Sequence, residues 1–177
     1  MVAGTAGKCI QGFPGVSFVL VRKGFLERMR QYPKRSWYLH LTHYVDDQGR
    51  GTIPFTPAVQ VFYGFDEALS ELLEEGVSNR IQRYKKAAAL IRARMAKLGV
   101  KPMLTSERQS NTITAYSLPD GVTYDQLHDR LKAQGYVIYA GQGQLEHKIF
   151  RVANMGALTE TQLTGFLDAF EQACKPV

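Results

Sequence analysis

Between residues 58 and 75, Val61, Phe62, Phe65, Ala68, Leu69, Leu72 and Leu73 recur at helical spacing. That spacing puts them on one face of a helix, and Gly76 stands where a helix closes on a left-handed residue. Ser78 is placed to cap a second helix. Ile81, Tyr84, Ala88, Ile91, Met95 and Leu98 keep a single apolar face in it before Gly99. Both helices are amphipathic, so each has one side to bury.

On either side of this pair the period shortens. Residues 16–21 are β-branched and aromatic and predict a buried strand, while residues 1–3 read as the end of another. The glycine-rich stretch between them is then a strand-to-strand turn. Residues 25–29 predict a short helix and residues 30–41 are loosely patterned. Residues 46–51 hold two aspartates and two glycines with nothing apolar to bury, which predicts a loop. Pro54 and Pro57 exclude a central strand and set up the helix start at residue 58.

Beyond Gly99 the units are short. A strand is expected over residues 112–118, with a turn at Pro119-Asp120-Gly121. Thr123 with Gln126 forms the signature of a capping box for a helix that ends at Gly135. Residues 136–140 and 149–152 predict strands around a loop at 141–144. Thr159 with Gln162 caps a last helix through residue 173. Short, mostly antiparallel strands covered by helices on one face make an α+β layer pair.

At 177 residues, 45% hydrophobic and 21% charged, the chain has the balance of a globular protein and the length of one domain, or of a domain plus the remnant of another. No apolar run is long enough to cross a bilayer, and the first residues lack the pattern of a secretory signal, so a cytoplasmic location and no membrane partner are expected. Cys9 and Cys174 are too few for a disulfide framework and read as thiols. His40, His43, His128 and His147 lack metal-ligand spacing, and no metal is expected. The net charge of +6 suits nucleic acid, and equally an enzyme that handles anions. The helix from residue 78 carries Arg80, Arg83, Lys85, Lys86, Arg92, Arg94 and Lys97 without an acid. Its predecessor carries Asp66, Glu67, Glu71, Glu74 and Glu75, so the basic run reads as a solvated face balanced by its neighbour, with no nucleic-acid partner.

Candidate chemistry starts at Lys8, set in a run with Gly4, Gly7, Gly12 and Gly15. From the residues alone, a lysine in such a turn is ordinarily solvated. The string Ala6-Gly7-Lys8-Cys9-Ile10-Gln11-Gly12-Phe13-Pro14-Gly15, however, resembles the cofactor-lysine segment of the class V aminotransferases. These are fold-type I pyridoxal-phosphate enzymes, and within them the resemblance is to the 2-aminoethylphosphonate:pyruvate aminotransferases. It implies that Lys8 is the Schiff-base lysine, both cofactor-binding and catalytic. A neutral amine attacks the cofactor aldehyde, and once displaced by substrate it moves a proton between substrate and cofactor carbons.

Two further segments carry the resemblance. Phe55-Thr56-Pro57 is similar to a threonine-proline element whose hydroxyl reaches the cofactor phosphate of the neighbouring subunit in a dimer. Taken alone, threonine before proline at a helix start is an ordinary cap. Phe150-Arg151-Val152-Ala153-Asn154-Met155-Gly156 resembles the Phe-Arg-Ile-x-x-x-Gly segment whose arginine binds the anionic group of the substrate. A guanidinium grips a carboxylate or phosphonate through two parallel hydrogen bonds, the alternative being a structural ion pair with a local acid.

The resemblance spans nearly the whole chain but only about the last half of such an enzyme. It implies an α/β fold in which residues 1–76 are the end of the large cofactor domain with its connecting helix, and residues 77–177 a small carboxy-terminal α+β domain. The implied activity moves the amino group of 2-aminoethylphosphonate to pyruvate, giving phosphonoacetaldehyde and alanine, with pyridoxal 5'-phosphate as cofactor. The family's aspartate at the pyridine nitrogen, its ring-stacking aromatic residue and its main phosphate loop fall before Met1. A homodimer, or a companion chain supplying that half, is the expected partner besides the small anionic substrates. The alternatives are an inactive fragment that serves as a binding or dimerisation module, and another class V aminotransferase of the alanine:glyoxylate type.

Overall fold

A computed structural model of the chain describes residues 1–175. Its contacts divide into two compact units, the first Met1–Glu74 and the second from Glu75 onward.

The first unit opens with a hairpin. Strand β1 (Val2–Thr5) pairs antiparallel with β2 (Ser17–Leu20), Val2 facing Leu20 and Thr5 facing Ser17. The Ala6 amide and the Thr5 hydroxyl both donate to the Val16 carbonyl, at 3.1 and 3.2 Å, and close the neck of the intervening loop. Ala6 and Val16 are buried there, but Ser17 and Leu20 are exposed, so β2 is shorter and less buried than its composition predicts. A two-stranded ribbon has no second neighbour to bury its outer edge.

Helix α1 (Lys23–Arg30) covers the short helix expected at 25–29. Helix α2 (Leu41–Gly49) runs through much of the stretch whose aspartates and glycines predict a loop. Its two aspartates are both paired. Asp47 is buried, pairs with Arg50 and faces His43 Nε2 at 3.3 Å. The Thr52 amide and hydroxyl both donate to the Asp47 carbonyl, at 2.9 and 3.1 Å. Asp46 takes both terminal nitrogens of Arg30, at 2.5 and 3.1 Å, tying α2 to α1. Helix α3 (Val59–Glu75) follows, with the Phe18 ring stacked on Phe65 at 6.0 Å and Ala68 buried.

The second unit begins with the last residue of α3 and continues into helix α4 (Val77–Lys97). Gly76, at φ +82°, caps α4 in place of Ser78, because its carbonyl already accepts from the Arg80 amide at 3.0 Å and the helix starts two residues sooner. Strand β3 (Ile113–Ser117), helix α5 (Tyr124–Lys132), strands β4 (Tyr139–Ala140) and β5 (Ile149–Ala153), and helix α6 (Glu160–Ala173) complete the unit. The sheet is antiparallel in the order β3-β5-β4. Both capping boxes form as the sequence predicts, at Thr123 with Gln126 and Thr159 with Gln162. Strand β4 keeps only two of its five expected residues. Tyr136 instead donates its amide to Leu131 at 3.0 Å and sets its ring against Phe166 at 5.7 Å, which takes it out of the ladder.

One face of this sheet carries the core. Met95 from α4, Leu127 and Leu131 from α5, and Leu167 and Phe170 from α6 pack with Tyr116 and Phe150 of the sheet, each less than 2% exposed. Phe150 and Val152 point into that core, so Arg151 between them faces the other way. The cations of α4 find acids at its two ends. Arg94 pairs with Asp168 and Glu171 of α6, at 2.8 and 3.3 Å. Arg80, only 4% exposed, and Arg83 both bond to Glu75, at 2.6 and 2.7 Å.

Glu75 makes a testable contribution. The Arg83 hydrogen bond first, then that of Arg80, hold its carboxyl at about 2 against an ordinary 4.5, even though burial pulls the other way. A carboxylate depressed on folding stabilises the native state above its unfolded value, and that stability is lost as pH falls from about 4.5 to about 2. Unfolding measured across this interval is expected to show that loss in the wild type and not in Glu75→Gln. The variant is expected to be less stable at neutral pH by about 1–3 kcal/mol.

Candidate active site

Lys8 lies in the loop between β1 and β2, where its side chain is exposed. The loop is folded on itself. Gln11 donates its amide to the Lys8 carbonyl at 2.9 Å and takes φ +69°, an uncommon value for a residue with a side chain, while Gly12 returns to the Ala6 carbonyl at 3.0 Å. Further along, the Phe13 ring lies against Gly64 of α3, so close that a Cβ at position 64 would sit 2.6 Å from it. Glycine at 64 is what lets the loop approach the helix. Among the described residues no carboxylate pairs with the Lys8 ammonium.

Thr56 precedes α3 by three residues and is exposed. The Ala58 carbonyl takes the amides of Val61 and Phe62, at 2.9 and 3.2 Å, and among the described residues the Thr56 hydroxyl caps no amide. The first turn of α3 contains no acid, so this helix start is compatible with an anion. Phe55, the neighbour of Thr56, lies in a group of rings, 5.1 Å from Tyr38 and 5.9 Å from Tyr44. Lys8 and Thr56 both belong to the first unit.

Arg151 belongs to the second unit, on the central strand β5, opposite Ala115 of β3 and Tyr139 of β4. It is half-buried, and its Nε donates to the Ala140 carbonyl at 2.8 Å. Among the described residues no acid pairs with it, so the structural ion pair that would have explained it is not formed. The end of its segment is held to α4. Arg83 Nη1 donates to the Gly156 carbonyl at 2.7 Å, and the Gly156 amide donates to the Tyr84 hydroxyl at 3.3 Å. Buried Asn154 donates to the carbonyls of Asn111 and Tyr84, at 2.9 and 3.3 Å. Arg83, Tyr84, Asn154 and Tyr139 have no signal in the sequence that singles them out, since each acts through a partner distant along the chain.

Cys9 and Cys174 form no disulfide, and burial pushes the Cys174 thiol up to about 11. Among the described residues no cluster of three or more histidine, cysteine or carboxylate side chains could hold a metal ion, and no helix is long and apolar enough to cross a membrane.

No family model matches the chain. It is 35% identical over 176 residues to the 2-aminoethylphosphonate–pyruvate transaminase of Klebsiella pneumoniae, covering 96% of this chain and 47% of that protein. It is 36% identical over 174 residues to that of Aeromonas hydrophila, with 96% and 46% covered. The chain thus spans about half the length of the curated relatives it matches. Among solved structures it superimposes on an aspartate aminotransferase of subgroup IV from Thermus thermophilus, with a TM-score of 0.86, 28% identity, and 97% of this chain and 48% of that one covered. An alanine–glyoxylate aminotransferase from Nostoc sp. shares the fold at a TM-score of 0.88 and 22% identity, with 98% and 47% covered. In sequence and in fold the chain is similar to about half of an aminotransferase, and the sequence likeness is to the 2-aminoethylphosphonate–pyruvate transaminases.

Proposed function

We propose that the chain is the part of a pyridoxal-phosphate-dependent aminotransferase that moves the amino group of 2-aminoethylphosphonate to pyruvate. The observation that carries this reading is the match, over 96% of the chain, to proteins of that name. In this reading residues 1–76 are the end of the cofactor domain with its connecting helix, and residues 77–177 a small carboxy-terminal domain. The last two residues of that range lie outside the described ones. A cytoplasmic location goes with the reading.

The residues present fit the cofactor. Lys8 offers an accessible amine on a loop fixed at its neck, and Thr56 offers a hydroxyl ahead of a helix start without acids. When bound, pyridoxal phosphate supplies an aldehyde and an electron-withdrawing ring. Lys8 would hold the cofactor through its Nζ. Freed by an incoming amino group, the same Nζ would serve as the base that accepts a proton from the substrate carbon. Thr56 Oγ1 would donate to the cofactor phosphate of a neighbouring subunit. Arg151 grips the phosphonate of the amino donor and, in the second half-reaction, the carboxylate of pyruvate. The remaining contacts to the ring are assigned to residues outside these 177, in a homodimer or with a companion chain.

The test is alanine formation from 2-aminoethylphosphonate and pyruvate by the assembled protein. Arg151→Lys keeps the charge and loses the fork. It is expected to raise KM for both substrates about 10- to 100-fold with a smaller change in kcat. Unchanged KM values would remove Arg151 from the site, and activity with glyoxylate but not pyruvate would favour the alanine–glyoxylate type.

A further inference from the structure

We propose that Tyr139 is the residue that lets Arg151 distinguish a phosphonate from a carboxylate. The inference rests on the reading of Arg151 as the anion-binding arginine and adds a specificity element beside it.

The register of the sheet makes the case. Tyr139 and Arg151 are direct partners across the antiparallel pair β4–β5. Partners of this kind point to the same face of the sheet, with Cβ atoms about 4.5–5.5 Å apart. That face is the one turned away from the core, because Phe150 and Val152 occupy the other. On the opposite flank Arg151 faces Ala115, which is too small to enclose it. Arg151 therefore has an open side at β3 and an aromatic wall at β4.

Tyr139 is unusual for a large aromatic side chain in a sheet. It is 63% exposed, and among the described residues its ring stacks on nothing and its hydroxyl has no partner. Its backbone, in contrast, is fixed on both sides. The Tyr124 hydroxyl donates to the Ile138 carbonyl at 3.1 Å, and the Gly141 amide donates to Ile149 at 3.1 Å. The turn at 143–145 folds back so tightly that a Cβ at Gly141 would lie 2.2 Å from the Leu145 carbonyl oxygen. A fixed backbone thus presents a hydroxyl that makes no hydrogen bond among the described residues.

The chemistry of the two substrates gives that side chain a use. Arg151 commits Nε to Ala140, which leaves the pair of terminal nitrogens for a ligand. Two nitrogens match the two oxygens of a carboxylate. A phosphonate has a third oxygen outside that plane, and a phenol O–H beside the guanidinium can donate to it. An enzyme that alternates a phosphonate donor with a carboxylate acceptor needs a site that accepts both, and a donor that engages only the third oxygen favours the phosphonate without excluding pyruvate.

The experiment titrates the isotope-labelled 177-residue chain with 2-aminoethylphosphonate and with β-alanine, which differs in having a carboxylate in place of the phosphonate. Binding is followed by NMR at the Arg151 Nε–H. The wild type is expected to favour the phosphonate about tenfold, and Tyr139→Phe to abolish that preference while leaving the β-alanine affinity within about twofold. Arg151→Gln is expected to lose both ligands. If Tyr139→Phe weakens both ligands equally, or neither, the role of Tyr139 is overturned while that of Arg151 stands. If Arg151→Gln leaves both affinities unchanged, the arginine reading fails and the proposal fails with it. Because Tyr139 is exposed, its phenylalanine variant is expected to keep the wild-type spectrum elsewhere, which separates a lost contact from a lost fold.

Discussion

Lys8→Arg is expected to abolish amino transfer, lowering kcat by about four orders of magnitude or more, of which proton transfer alone accounts for about 10²–10⁴. A guanidinium stays protonated and can neither attack an aldehyde nor accept a proton from carbon. The side chain is exposed and pairs with no carboxylate among the described residues, so the substitution is expected to leave unfolding within about 0.5 kcal/mol of the wild type. Steady-state kinetics with thermal unfolding on the same samples checks both parts. A loss of activity accompanied by a loss of fold would mean that Lys8 supports the hairpin, and retained activity would remove it from the chemistry.

Phe150→Ala is expected to cost about 3–5 kcal/mol. The ring is fully buried between Tyr116 and Phe170, both with centroids at 5.4 Å, so its removal opens a cavity where strand β5 meets α6. The next residue is Arg151, whose position depends on β5 lying flat on that core. Denaturant unfolding is therefore expected to show a large loss of stability, and NMR a changed environment at the Arg151 Nε–H, whereas a cost below about 1 kcal/mol would show that the site collapses to fill the cavity.

How far the chain can be read without its structure depends on how local each feature is. The two capping boxes are fixed by residues three apart, and both appear where the sequence predicts. The glycines at 76, 99 and 135 take positive φ beyond the ends of α3, α4 and α5, although Gly76 also caps α4 and α5 ends at Lys132, before Gly135. Helix α2 was hidden because its aspartates look unpaired along the sequence. Arg30 lies a whole helix away from Asp46, and Arg50 and His43 meet Asp47 only once the helix exists. The loss of most of β4 has the same origin, since Tyr136 is claimed by Phe166 of α6, a contact that spacing cannot show. For α4, the balancing acids were expected from the run at 66–75, and of these Glu75 pairs with Arg80 and Arg83. The acids that meet Arg94 are on α6, some seventy residues further on.

The candidate site divides along the same line. Lys8, Thr56 and Arg151 are candidates from the sequence because each sits in a short string that resembles a known family. The place of Tyr139 beside Arg151 is not legible there, because it follows from strand register, which a string of residues does not carry. The tie between Gly156 and Arg83 spans 73 positions and is likewise a product of the fold.

Lys8 as the cofactor-bearing lysine is tested most directly by chemical trapping. The assembled protein is incubated with pyridoxal phosphate, reduced with borohydride and digested, and the cofactor mass is located on its peptide. The expected result is a single modification at Lys8, lost in Lys8→Arg and formed in preference to the other exposed lysines. A protein that gains no adduct, or gains it at other lysines and not at Lys8, would contradict the account.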